Sequence, residues 1–150
     1  MDYINNLRKH IGKQPLILVG STVLVLDERN RLLMMKRSDN HCWGVPGGAM
    51  ELGEATEETA KRELLEETGL KVNELTFFGV FSGQELYYRY PNGDEVYNVI
   101  IAYLGCDVQG NVVLSDGEHY GFQYFDLEQL PENISPPVKP ILKKLLETYQ

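Results

Sequence analysis

The sequence predicts an α/β fold in which a mixed β-sheet is covered on both faces by helices. Three observations carry that reading. Residues 16–26, LILVGSTVLVL, form an apolar run too continuous for a half-exposed strand, so they read as a buried central strand. Strand-like segments lie on both sides of a helical segment in mid-chain, and an amphipathic segment, Pro140 to Tyr149, closes as a second helix.

Taken in order, Asp2 to His10 reads as a short helix, and Pro15 opens the central strand. Asp27 to Asn30 make a polar turn into RLLMMKR, residues 31–37, which is expected to pair back as the next strand. Ser38 to His41 read as a loop before Trp43, and the mid-chain helix runs from about Ala55 to Thr68. Val72 to Phe81 and Glu85 to Tyr90 read as strands. Pro91-Asn92-Gly93-Asp94 is a strong hairpin turn into Glu95 to Leu104, because Asn-Gly accepts the left-handed conformations a tight turn requires. A turn at Gln109-Gly110-Asn111 leads to a short strand, Val112 to Leu114, and His119 to Phe125 alternates as an aromatic strand. The Met34-Met35 pair reads as core filling on its strand.

Composition bounds the function. A chain of 150 residues with 43% hydrophobic and 24% charged residues suits one globular domain, so residues 1–150 are expected to form a single unit. The net charge of −8 argues against a nucleic-acid duplex or an anionic membrane surface as partner, since both reward basic patches. No apolar run approaches the roughly 20 residues of a membrane span, and MDYINNLRKH lacks the apolar core of a signal peptide. A cytoplasmic location is expected. Cys42 and Cys106 show no ligand spacing and read as reduced, structural cysteines.

The segment GAMELGEATEETAKRELLEETGL, residues 48–70, departs from what helix stability asks for. Glu63, Glu66 and Glu67, at i, i+3 and i+4, share one helix face and repel one another by a few tenths of a kcal/mol per pair. They also crowd the helix C-terminus before Gly69, where carboxylates destabilise by about 0.3 to 1 kcal/mol each. Hard oxygen ligands gathered against local preference point to a divalent metal such as Mg²⁺. Gly47 and Gly48, after Pro46, form a tight turn that lets backbone approach a ligand. Arg62, within reach of Glu54 or Glu58, is the one cation placed to orient these carboxylates.

This segment resembles the signature box of the Nudix (MutT-like) hydrolases. The matching positions are Gly48, Glu54, Arg62, Glu63, Leu64, Glu66, Glu67, Gly69 and Leu70, and every defined position of the box is met. Trp43-Gly44-Val45-Pro46-Gly47-Gly48 and the general strand order extend the likeness. The resemblance implies a Nudix-type α/β/α sandwich with a central catalytic loop-helix. It implies Mg²⁺-dependent hydrolysis, with Mn²⁺ as a substitute, of a phosphoanhydride bond in a nucleoside diphosphate linked to another moiety. Nucleoside triphosphates, ADP-ribose or nucleotide sugars, and dinucleoside polyphosphates are the substrate classes.

Under that resemblance Glu63, Glu66 and Glu67 hold the metals, and the Gly47 carbonyl adds a backbone ligand. Glu63 or Glu66 acts as base, while Arg62 and Glu54 orient. Glu118, in the loop before YGFQYF, is either a further metal ligand or base, or simply a turn acid after Asp116-Gly117. Arg37, at a strand end on the side of the metal loop, contacts phosphate or is solvated. Tyr87 and Tyr88, 17 and 18 residues after Leu70, resemble the tyrosine of dinucleoside polyphosphate hydrolases or pack in the core. Trp43 is favoured for packing, His41 and His119 read as lone histidines, and His10, near the end of the first helix, reads as a capping residue. A non-catalytic nucleotide sensor and a prenyl diphosphate isomerase share the fold and stand as alternatives. The first helix and the tyrosine-rich hairpin offer a surface for a homodimer.

Overall fold

The computed structural model describes residues 2–149. Its elements are α1 (Asp2–Ile11), β1 (Leu16–Val25), β2 (Leu32–Arg37), β3 (Trp43–Gly44), β4 (Gly47–Ala49), α2 (Thr56–Thr68), β5 (Thr76–Phe81), β6 (Tyr87–Arg89), β7 (Glu95–Gly105), β8 (His119–Phe125) and α3 (Lys139–Thr148). The mixed sheet runs β4-β1-β7-β5, with β6 added on β7. β1 and β7 are parallel from Leu16↔Val96 to Val25↔Gly105, and the remaining pairs are antiparallel.

The central strand explains the two-sided cover. Side chains alternate across a strand, so Val23 and Val25 face a core completed by Ala60 and Leu64 of α2. Leu24 and Leu26 face the opposite core, completed by Ile141, Leu142 and Leu145 of α3. From Ser21 to Val25 both faces of β1 are thus dry, which is why the sequence does not alternate there; Ile17 and Val19 stand exposed in its first half, unlike the wholly buried strand expected. The Met34-Met35 pair is fully buried, as its place on a strand suggests.

The second sheet, β3-β2-β8, is a departure from the single sheet that the strand order suggests. β2 meets β1 only through an isolated Leu26↔Leu32 bridge and then pairs along its length with β8. Leu33 packs with the α2 core and Leu32 and Met34 with the α3 core, so β2 is buried on both sides between the layers. Three boundaries also differ. Around the tight turn expected at Pro46-Gly47-Gly48, residues 43–49 supply two short strands. The strand expected from Val72 begins at Thr76, and Gln84–Leu86 turn as a 3₁₀ helix before β6. Val112 to Leu114 are not a strand: the Val113 amide donates to the Thr68 carbonyl at 2.8 Å, tying this stretch to the end of α2. The expected hairpin is present, with Arg89 opposite Glu95 and Gly93 at φ 94°. Among the described residues, no helix is long and apolar enough to cross a membrane.

Candidate active site

The site is assembled where α2 lies against β4. TEETAKRELLEET has no Gly or Pro, and its first turn is closed by Glu58, whose Oε1 accepts from the Ala55 amide at 2.8 Å. Gly69 ends the helix in the left-handed conformation, φ 76°, with its amide donating to the Leu65 carbonyl. Ala60 and Leu64 are fully buried. Burying a leucine is worth about 1.5–3 kcal/mol, so these anchors outweigh the few tenths to 1 kcal/mol that each terminal carboxylate costs. The register of this anchor swings Glu63 and Glu67, both over 90% buried, toward β4.

β4 is built to receive them. It pairs antiparallel with β1 through Gly48↔Ser21 and Gly47↔Thr22. A Cβ at residue 48 would stand 2.6 Å from the Glu63 carboxylate oxygens, and one at residue 47 would stand 2.5 Å from the Ser21 carbonyl oxygen. Gly47 is therefore demanded by close backbone approach rather than by turn conformation, and a side chain at residue 48 would displace the Glu63 carboxylate. The Gly47 amide donates to Glu67 Oε1 at 3.0 Å.

Arg62 joins the remaining acids. Its Nε donates to Glu54 Oε2 at 2.6 Å and its Nη2 to Glu54 Oε1 at 2.9 Å, a two-point fork. Nη1 donates to Glu63 Oε1 at 2.8 Å and Glu66 Oε1 at 3.1 Å, and Nη2 also reaches the Ala49 carbonyl at 3.0 Å. Of the two partners open to Arg62 in the sequence, the structure selects Glu54, because Glu58 is occupied in capping the helix. Glu54 further accepts from the Glu51 amide and the Thr59 hydroxyl, which fixes its loop on α2.

The three box glutamates are thereby divided. Glu66 is half exposed and Glu63 is buried, and both are shared by Arg62. Glu67 turns to the loop before β8, where one ligand atom each from Glu67, Asp116, Glu118 and His119 lie within 4.8 Å of one another. That loop is placed by β2: Arg37 stands opposite His119 across a bulge, and the Ser38 amide donates to the Glu118 carbonyl at 2.8 Å. Glu118, a turn acid by sequence or a member of the site, is brought to Glu67. Asp116 and His119 join it although the sequence reading set them aside. The one signal available was the spacing of three potential ligands, Asp116, Glu118 and His119, within four residues.

Electrostatics follows from this division. The Arg62 guanidinium holds Glu54 down at about 2. Burial pushes Glu63 above its ordinary value, with Arg62 opposing and Glu66 and Glu118 adding to the rise. Burial raises Glu67 well above its ordinary value, opposed by the Gly47 amide and reinforced by Glu63, Glu118 and Asp116. Among the described residues, no arginine or lysine pairs with Glu67, Asp116 or Glu118. A divalent cation fits this donor set: it is rich in hard oxygens, converges on one point and lacks its own counter-charge.

Beside the acids, loop 38–41 and β6 form a polar and aromatic wall. Arg37 makes a two-point ion pair with Asp39, at 2.9 and 2.8 Å, so it is held in place rather than solvated. Asn40 donates to the Tyr88 hydroxyl at 2.6 Å, and Tyr88 packs edge-on to Tyr90 at 4.9 Å. Tyr87 points to the opposite face of β6, where it donates to Glu95 at 2.5 Å and packs on Tyr97. The structure therefore separates the two tyrosines that sequence spacing places together. Trp43 packs edge-on to Phe125 at 5.0 Å against the α3 core, in agreement with a packing role.

Fold and site together define a class: an α/β domain in which a Gly-Gly strand and the following helix gather carboxylates around a single arginine. The chain belongs to the Nudix family, since the model of the NUDIX domain matches residues 17–146. It is 33% identical over 111 residues to an ADP-ribose pyrophosphatase of Methanocaldococcus jannaschii, covering 72% of this chain and 62% of the relative. It is 44% identical over 62 residues to a putative 8-oxo-dGTP diphosphatase of Bacillus subtilis, covering 41% of this chain and 42% of the relative. The chain thus spans less than two thirds of the length of either curated relative. The crystal structure of a MutT NUDIX hydrolase from Burkholderia pseudomallei superposes with a TM-score of 0.73 at 26% identity, covering 88% of this chain and 98% of that one.

Proposed function

We propose that this chain hydrolyses a phosphoanhydride bond in a nucleoside diphosphate derivative with Mg²⁺, or Mn²⁺ in its place, and that an ADP-ribose-type substrate is the first to test. The observation that carries this reading is the buried Glu67 facing Asp116 and Glu118 with no arginine or lysine among the described residues to neutralise them. When bound, divalent ions neutralise phosphate charge and acidify water for attack at phosphorus. Glu63, Glu66 and Glu67, with the Gly47 carbonyl and Glu118, hold them in this reading. Glu63 or Glu66 accepts the proton of the attacking water. Arg62 and Glu54 act by position: their fork fixes the carboxylates at the helix end before substrate arrives, which spares that ordering cost during reaction. The full Arg62 geometry also explains why no other cation could serve, since a lysine has no fork.

Arg37, aimed by Asp39, and Tyr88, held by Asn40, form the nucleotide side of the site. Tyr87 faces away and is left out of this role. The ADP-ribose choice is supported by the 33% identity to the archaeal relative of that name.

Incubation with ADP-ribose, sugar nucleotides, nucleoside triphosphates and dinucleoside polyphosphates, with products resolved by chromatography, tests the proposal. Release of a nucleoside monophosphate from ADP-ribose is the expected result. Tight binding with no cleavage of any class would replace hydrolysis by nucleotide sensing. Tyr88→Ala is expected to raise KM for the cleaved nucleotide by roughly 10-fold, the loss of one base-stacking contact of about 1–3 kcal/mol, with kcat little changed. Unchanged KM would return Tyr88 to a packing role.

A further inference from the structure

We propose that His119 supplies a ring nitrogen to the cation held at Glu67 and Glu118, so that this site favours a first-row transition ion such as Mn²⁺ over Mg²⁺. The inference rests on the reading above that the acidic well holds a divalent cation, and goes beyond it in assigning a nitrogen donor and an ion preference. His119 is the only non-carboxylate in the cluster, and a ring nitrogen lies within 4.8 Å of oxygens from Glu67, Asp116 and Glu118. Its side chain is 4% exposed, so the ring cannot swing out to water.

Two constraints fix its orientation. The bulge between Lys36 and Arg37 sets His119 opposite Arg37 at the start of β8. Asp116 Oδ2 stands 3.3 Å from Nδ1, the carboxylate-imidazole arrangement that commonly orients a metal-bound histidine and raises its basicity. A simple His119–Asp116 pair would account for those two residues alone. It leaves unexplained why a buried Glu67 and an exposed Glu118 converge on the same point, 51 positions apart.

The chemistry of the donors then sets the ion. Mg²⁺ demands near-ideal octahedral oxygen ligands and gives up its waters reluctantly. Imidazole nitrogen suits transition ions better, so one nitrogen among the carboxylates shifts preference from Mg²⁺ toward Mn²⁺. The other two histidines lie elsewhere: the His10 ring bonds the Asn6 carbonyl within α1, and the His41 ring meets the Tyr120 hydroxyl.

Electron spin-echo envelope modulation of the Mn²⁺-loaded protein, recorded without substrate, tests this directly. The expected spectrum carries ¹⁴N modulation that converts to the ¹⁵N pattern when histidine is ¹⁵N-labelled, a readout that needs no mutation. The signal should persist in a His10→Gln/His41→Gln double variant and vanish in His119→Ala. Competition titration should show Mn²⁺ affinity falling roughly 10- to 100-fold in His119→Ala, with Mg²⁺ affinity falling by far less. Stoichiometric Mn²⁺ binding with no nitrogen modulation, or modulation that survives in His119→Ala, would overturn this inference and leave the hydrolase reading standing. Failure to bind Mn²⁺ at all would overturn both.

Discussion

Glu67→Gln is expected to abolish metal-dependent activity and, at the same time, to make the metal-free protein more stable at alkaline pH. The two effects have one cause. Glu67 is buried among Glu63, Asp116 and Glu118, and among the described residues its one hydrogen bond is from the Gly47 amide. A glutamine oxygen keeps that bond while removing the buried charge. Since burial raises Glu67 above its ordinary value of 4.5, the folded state holds the proton more tightly than the unfolded state. The resulting cost is absent below pH 4.5, grows as pH rises toward the folded-state value and is fully present above it. Thermal unfolding in a chelator should therefore show the variant melting about 3 °C or more above the parent at pH 8, equivalent to ~1 kcal/mol for a domain of this size. The gap should close near pH 4. Added Mg²⁺ should raise the parent's Tm and not the variant's, by linkage of binding to folding. Turnover should fall by at least about 100-fold, since several kcal/mol of charge stabilisation leave with the ligand. A variant less stable than the parent at pH 8 would mean that Glu67 is a structural acid.

The second large effect is expected at Arg62. Its guanidinium carries Glu54, Glu63, Glu66 and the Ala49 carbonyl together. Arg62→Ala leaves Glu54 and the buried Glu63 without a counter-charge. Removing one partner of a fully buried pair costs about 3–5 kcal/mol; the partial exposure of Arg62 lowers the expected loss to ~2–4 kcal/mol. The pH dependence runs opposite to that of Glu67. Glu54 is depressed to about 2 by Arg62, so the stability it contributes is fully present above pH 4.5 and is lost as pH falls through about 2. The difference in stability between parent and Arg62→Ala should accordingly narrow as pH drops below 4.5. Arg62→Lys should recover little, because a single ammonium cannot reproduce the fork to Glu54. Glu54→Gln combined with Arg62→Ala should recover part of the loss, by removing the acid that Arg62→Ala strands. Equal stability of parent and Arg62→Ala in chemical denaturation would mean that the network is a surface feature of no energetic weight.

The helix and turn of the site were legible because each is locally encoded. Glu63, Glu66 and Glu67 violate helix preferences within a single turn, and Gly47-Gly48 precede them by a fixed distance along the chain. The hairpin at Pro91–Asp94 and the two-sided burial of residues 21–25 in β1 are likewise written in turn chemistry and in the absence of alternation. Arg62 was legible as the orienting cation, although its choice between Glu54 and Glu58 was not: both are in reach along the chain, and the preference arises because Glu58 is consumed in capping α2.

By itself, then, the sequence determined the α/β class, the acidic helix behind its glycine turn, the clustering of Glu63, Glu66 and Glu67 on it and Arg62 as the cation beside them. Only the tertiary structure decided the separation of β2 into a second sheet, the delivery of Asp116, Glu118 and His119 to Glu67, the pairing of Arg37 with Asp39 across the strand end, and the division of Tyr87 from Tyr88. Periodicity and turn chemistry act between residues a few positions apart, whereas Glu67 meets Glu118 only because β8 packs in register on β2 and α2 packs on β1. Those registers are set by burial of Leu33, Leu64 and Val23 in one shared core. The hydrophobic effect that fixes them is non-directional, so it reveals its partners only once the whole chain has closed.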